Sequence, residues 1–85
     1  LNNTNLLFDF IVVDIFKDLI IPSHFLCEKF CSRLNDKLSI NGKLLFNTLS
    51  NRNAEKVIFN FKKKQMFTQK LKHKNSHYMV LANQY

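Results

Sequence analysis

Two kinds of hydrophobic pattern alternate along the chain. From Phe8 to Phe16 (FDFIVVDIF) β-branched and aromatic residues follow one another with only Asp9 and Asp14 between them. A run of this length and make-up reads as a strand buried on both faces, because a helix against a core shows apolar residues only every third or fourth position. The pattern breaks from Lys17 to Pro22. Pro22 confines the residue before it to extended backbone and Ser23 is a good N-cap, so a helix is expected to start at Ser23. Along it Leu26, Phe30 and Leu34 recur every fourth residue, with Cys27, Cys31 and Leu38 beside them. Glu28, Lys29, Ser32, Arg33 and Asp36 fall on the other side, which makes the helix amphipathic.

This helix is expected to give way around Ser39 to Asn41. Gly42, the single glycine, then suits a sharp loop into a second buried strand, Lys43 to Leu49 (KLLFNTL). Asn51 or Asn53 can cap a second helix in which Ala54, Val57, Ile58 and Phe61 point inward, while Glu55, Lys56, Asn60 and the lysines 62–64 face water. Met66 to Leu71 and His77 to Ala82 read as short strands joined through Lys72 to Ser76, where Asn75 and Ser76 supply turn chemistry. An order of strand, helix, strand, helix, strand, strand makes the first two strands parallel through a right-handed crossover and lets an antiparallel pair close one edge. The predicted fold class is α/β, in one domain or part of one over residues 1–85.

Length and composition narrow this picture. Eighty-five residues hold one small core, and 46% hydrophobic content with nine Phe excludes the low-hydrophobicity class of disordered chains. The apolar stretch Leu6 to Phe16 is too short and too charged for a bilayer, which takes roughly 20 apolar residues. It also lacks the basic leader and small-residue cleavage site of a signal peptide. No membrane partner is therefore expected, and the default location is cytoplasmic. The chain opens on Leu1 and runs almost directly into a strand, as a fragment would.

The net charge of +7 is unevenly placed: residues 1–50 carry five basic and five acidic side chains, residues 51–85 eight and one. Such asymmetry can mark nucleic-acid or membrane contact, with Phe59, Phe61, Phe67 and Tyr78 as candidates for stacking on bases. A solvated face is the plainer reading, since eleven of the thirteen basic residues are Lys rather than the better phosphate ligand Arg. Helical spacing places Phe61 in the core, and strand alternation can do the same for Phe67. Cys27 and Cys31, four apart on a helix, are expected to be free thiols. With His24 they give three ligands and no obvious fourth, so no metal site is expected.

Taken together, FDFIVVDIF, the loop with Pro22, the helix from Ser23, NGKLLFN, a helix and two closing strands resemble the second half of spermidine synthases and spermidine-synthase-like methyltransferases. The resemblance covers nearly all 85 residues. It implies a partial Rossmann-like methyltransferase fold, in which two parallel strands with crossover helices are followed by an antiparallel strand pair. In the intact domain it implies transfer of an aminopropyl or methyl group to an amine or other small acceptor. S-adenosylmethionine or its decarboxylated form would be the co-substrate.

By the same resemblance Asp14 matches the acidic residue at the end of the family's fourth strand, which in the aminopropyl-transferring members helps orient and deprotonate the attacking amine. Ile15, Phe16, Asp18 and Pro22 would flank the substrate. Ligands of open α/β sheets bind at the carboxyl ends of strands, where a carboxylate can hold an ammonium and take its proton. Aminopropyltransferases look like D-S-S-D in this loop, with a second carboxylate three residues on. This chain has Lys17 there and Asp18 one further, closer to the looser relatives. The family's Gly-rich turn and adenosyl-binding acidic residue lie upstream of anything here, so no cofactor is expected to bind the fragment alone. The implied partners are the acceptor, an upstream half-domain, or a second copy joined through the open edge of the first strand. A small basic module over residues 52–74, binding nucleic acid or protein, is the alternative.

Overall fold

The computed structural model describes residues 6–14, 21, 23–72 and 77–84. In chain order these form β1 (Phe8–Val13), a 3-10 turn (Ser23–Phe25), α1 (Glu28–Lys37), β2 (Leu38–Asn47), α2 (Asn51–Lys63), β3 (Phe67–Lys72) and β4 (Tyr78–Asn83). The fold is α/β, as the patterning predicts. Its single sheet has the order β1-β2-β4-β3, with β1 and β2 parallel and the other neighbours antiparallel. The last strand thus lies beside β2, and β3 forms an edge among the described residues.

Register decides which side chains meet the helices. Ile11 lies opposite Leu44 and Val13 opposite Phe46, while Leu44 and Phe46 face Ala82 and Val80 on their other flank. Residues directly opposite share a face, so these six form one apolar surface, on which Ala54, Val57 and Phe61 of α2 and Cys31 and Leu34 of α1 are packed. Burying a side chain of Phe, Leu or Val fully is worth about 1.5–3 kcal/mol each. The second face of the sheet carries Phe10 and Val12 of β1, Leu45 of β2, Met79 and Leu81 of β4, and Phe67 and Leu71 of β3. Phe10 and Val12 are 56% and 57% exposed.

This corrects the expectation for the first strand. β1 is an edge strand among the described residues, with Ile11 and Val13 turned to the core and Phe8, Phe10 and Val12 exposed. Apolar residues on both faces announce a strand fit to be covered twice, and the sequence pattern cannot distinguish a face that is covered from one that is fit to be.

The first helix begins later than its cap suggests. Ser23 opens the 3-10 turn, with the Leu26 amide donating to the Ser23 carbonyl at 2.9 Å. α1 starts at Glu28 with Cys27 as N-cap, and the exposed Cys27 thiol donates to the His24 carbonyl at 3.0 Å. The helix stops at Lys37, because Leu38 is already extended and its side chain is buried. Gly42 lies within β2 and not in a turn ahead of it. Leu38 pairs with Phe8 and Lys43 with Phe10, so residues 39–42 bulge out of the ladder. A Cβ on Gly42 would stand 2.7 Å from Leu38 Cδ1 and 3.0 Å from the Phe8 carbonyl oxygen, so glycine is needed here for close approach.

The cap of α2 is Ser50, not Asn51 or Asn53. Its Oγ accepts from the Asn53 amide at 3.1 Å, and the Asn53 side chain donates to the Thr48 carbonyl at 3.0 Å. The inward face of Ala54, Val57 and Phe61 is buried as its spacing predicts. Asn60 departs from the water-facing position expected of it: it is half-buried and donates to the Leu26 carbonyl at 2.8 Å, tying α2 to the end of the 3-10 turn.

At its far end α2 closes with the Gln65 amide on the Lys62 carbonyl (2.9 Å) and the Met66 amide on the Phe61 carbonyl (3.3 Å), a Schellman arrangement that puts Gln65 at φ 60°. Both closing strands run one residue later than their patterns suggest. Met66 is buried in the core and Phe67 is 52% exposed on the second face, not in the core. Asn75 and Ser76 of the connecting turn lie outside the described residues. Among the described residues no helix is long and apolar enough to cross a membrane.

Two substitutions test this account. Gly42→Ala should destabilise the chain by about 1–3 kcal/mol, the usual cost of overpacking, as a lower urea midpoint at unchanged slope. Gln65→Gly should stabilise it by about 0.5–1 kcal/mol by removing a Cβ from left-handed backbone, read as a higher thermal midpoint.

Candidate functional site at the carboxyl ends of the parallel strands

Parallel pairing brings the carboxyl ends of β1 and β2 side by side. With Val13 opposite Phe46, the next residues along, Asp14 and Asn47, come level. Asn47 Nδ2 donates to Asp14 Oδ1 at 3.1 Å, and Asn47 Oδ1 accepts from the Leu49 amide at 3.3 Å. The Asn47 amide is therefore held from behind by the backbone while its NH2 group orients an exposed carboxylate.

The turn behind Asn47 is fixed by β4. Thr48 is buried, and both its hydroxyl and its amide donate to the Tyr78 carbonyl, at 2.7 and 3.0 Å. The Tyr78 amide returns a bond to the Leu49 carbonyl at 3.3 Å, and the Ser50 amide donates to the Thr48 carbonyl at 2.7 Å. Leu49 itself sits at φ 66° with its side chain buried. Left-handed backbone costs a residue with a Cβ about 1–2 kcal/mol, and it persists where the surroundings over-determine it, as at many sites of function. Aromatic contacts tie the start of the helical layer to the same end of the sheet: Phe25 packs edge-on against Phe30 (5.1 Å between centroids), and Phe30 against Phe46 (6.3 Å).

Of the residues that the resemblance implicates, Asp14 stands at this end of the sheet. Ile15, Phe16, Asp18 and Pro22 lie outside the described residues. Asn47 belongs to the quoted NGKLLFN motif, yet sequence reasoning gave it no task. The signal for it was available, because an Asp ending one strand and an Asn ending the next become neighbours once the two strands are parallel. Asp9, at the other end of β1, is exposed and accepts from the Ser39 hydroxyl at 2.7 Å.

The two cysteines are free thiols. Cys31 is fully buried, and that burial, followed by the charge of Cys27, pushes its pKa from 9.0 up to about 12. The thiolate, not the thiol, is the nucleophile and metal ligand, so Cys31 is inert. Among the described residues no group of three or more His, Cys, Asp or Glu is placed to hold a metal ion.

Several lysines are engaged on the surface. Lys63 pairs with Glu28 at 3.5 Å and lies 4.6 Å over the ring of Phe59; Lys70 pairs with Glu55 at 3.2 Å and donates to Asn51 at 2.7 Å. Exposed pairs of this kind are worth about 0–1 kcal/mol each. Of the aromatic residues considered for stacking, Phe61 is in the core, Tyr78 is half-buried, and Phe59 and Phe67 are exposed.

With this geometry in hand, no protein-family model, curated protein or solved structure matches the chain.

The cysteine assignment has a direct check. In the native protein a thiol reagent should label Cys27 rapidly and Cys31 only after denaturant is added. Because the folded pKa of Cys31 lies above the unfolded one, the stability linked to it is complete below pH 9.0 and is lost as pH rises toward about 12. Unfolding curves collected across that window should show the loss, and it should be smaller in Cys31→Ala.

Proposed function

We propose that the chain is the substrate-side, C-terminal half of a spermidine-synthase-like, Rossmann-like transferase domain that moves an aminopropyl or methyl group from an adenosyl co-substrate to an amine or similar acceptor. The observation that carries this reading is the Asp14 and Asn47 pair at the carboxyl ends of two adjacent parallel strands, where ligands of open α/β sheets bind. An exposed carboxylate there, held by one of its oxygens, can anchor an ammonium group and accept its proton as the amine attacks the electrophilic carbon. The element order supports the same reading: two parallel strands, each followed by helix, then an antiparallel pair. The chain has a single glycine and hence no Gly-rich turn of its own. Binding of the adenosyl group is therefore assigned to residues upstream of the first strand.

Calorimetric titration with S-adenosylmethionine and with its decarboxylated form tests the proposal. It compares this chain with a polypeptide extended upstream by about 100 residues, the size of a usual domain half. Binding by the extended polypeptide alone supports the reading, and binding by neither overturns it. In the extended polypeptide Asp14→Asn should lower turnover by about 10²-fold or more, the usual worth of a general base, with adenosyl affinity unchanged.

A further inference from the structure

The outer side of the helical layer holds an open concavity of about 610 Å³, lined by Cys27, Glu28, Lys29, Ser32, Arg33 and Lys64. Three cations face one carboxylate across it. That carboxylate, Glu28, is paired with Lys63, whereas Lys29, Arg33 and Lys64 have no ion-pair partner among the described residues. Lys29 and Arg33 stand four apart, on the same side of α1. Lys64 reaches the concavity from the end of α2 and is half-exposed. Like charges gathered in this way repel one another, and an anion placed between them relieves that repulsion.

Phe59 gives the site a second component. It is 60% exposed, Lys63 lies over its ring, and Lys63 joins it through Glu28 to the rim of the concavity. A planar base stacked on an aromatic ring beside a cationic hollow is the recurrent arrangement for nucleotide strands. The charge asymmetry of the sequence points to residues 52–74. The structure instead moves the centre of the cationic site onto α1, whose Arg33 brings the planar guanidinium suited to phosphate.

We propose that the concavity formed by Lys29, Ser32, Arg33 and Lys64 binds a phosphate group of a nucleotide or single-stranded nucleic acid, with its base on Phe59. The site is separate from Asp14 and does not rest on the transferase reading.

Amide NMR titrations of the 85-residue chain with inorganic pyrophosphate and with a uridine octanucleotide test it. Saturable shifts confined to residues 27–33 and 64 are expected with pyrophosphate, and at Phe59 as well with the octanucleotide. Arg33→Gln and Lys64→Gln should each weaken binding by about fivefold or more, as loss of a hydrogen bond to a charged group does. Lys43→Gln, on the opposite face of the sheet, should leave it unchanged. All three positions lie on the surface, so native amide spectra will report intact folding. Octanucleotide binding tighter than pyrophosphate, weakened by Phe59→Ala and by added salt, assigns the phosphate to a strand. Equal affinity without an effect of Phe59→Ala overturns the placement of a base on Phe59. Absence of saturable shifts with both probes, or equal weakening by Lys43→Gln, overturns the proposal.

Discussion

The register of β2 is the constraint on which the remaining structure depends. Leu44 and Phe46 must turn toward the helices together, flanked by Ile11 and Val13 on one side and Ala82 and Val80 on the other. A slip of one residue would send both to the opposite face and put Lys43 and Leu45 into the core. The same register aligns the strand ends, so the Asn47 amide reaches the Asp14 carboxylate only because Phe46 is opposite Val13. Packing and site geometry are thus one decision, made by alternation in a single central strand. The bulge at residues 39–42 keeps that decision local, since it absorbs the mismatch between the end of α1 and the start of the regular ladder without passing it on to Lys43 and beyond.

Much of this was legible in the residues. The second helix and its inward face follow from spacing alone, because Ala54, Val57 and Phe61 have no other way to be buried together. The closing pair was readable to within one residue. What escaped has identifiable physical causes. Asn60 is polar and spaced like a surface residue, but a free carbonyl at Leu26 gives it a partner that only tertiary structure supplies. Ser23 has the chemistry of a cap, and it begins a short 3-10 turn five residues before the helix that it was expected to start. Phe67 alternates correctly, yet alternation cannot say which face is the covered one. For the candidate site, Asp14 was readable from its place at the end of an apolar run. Asn47 needed the parallel pairing to acquire meaning.

The molecule is also polarised through its thickness. One side of the sheet bears helices whose outer surface is rich in Lys and Arg, and the other bears Phe10, Val12, Leu45 and Leu81 with Lys43 among them. The surplus charge is therefore a property of the helical layer. Two of its acidic members, Glu28 and Glu55, are each held by a lysine, and the first helix carries Lys29, Arg33 and Lys37 beside the third, Asp36.

Sheet topology has a further consequence for how the chain assembles. β3 and β4 are joined by a short connection, and their ladder closes only a small loop, whereas β1 meets β2 across the whole of the first helix and its approach. Contacts distant in sequence carry the larger closure entropy and form late. The β3 and β4 hairpin with α2 beside it is thus the natural nucleus, and both ladders of β2 form later, since β2 meets β4 across at least as much chain as it meets β1. Asp14 and Asn47 therefore meet only once a long-range ladder has closed, after the hairpin at the other edge of the sheet is in place.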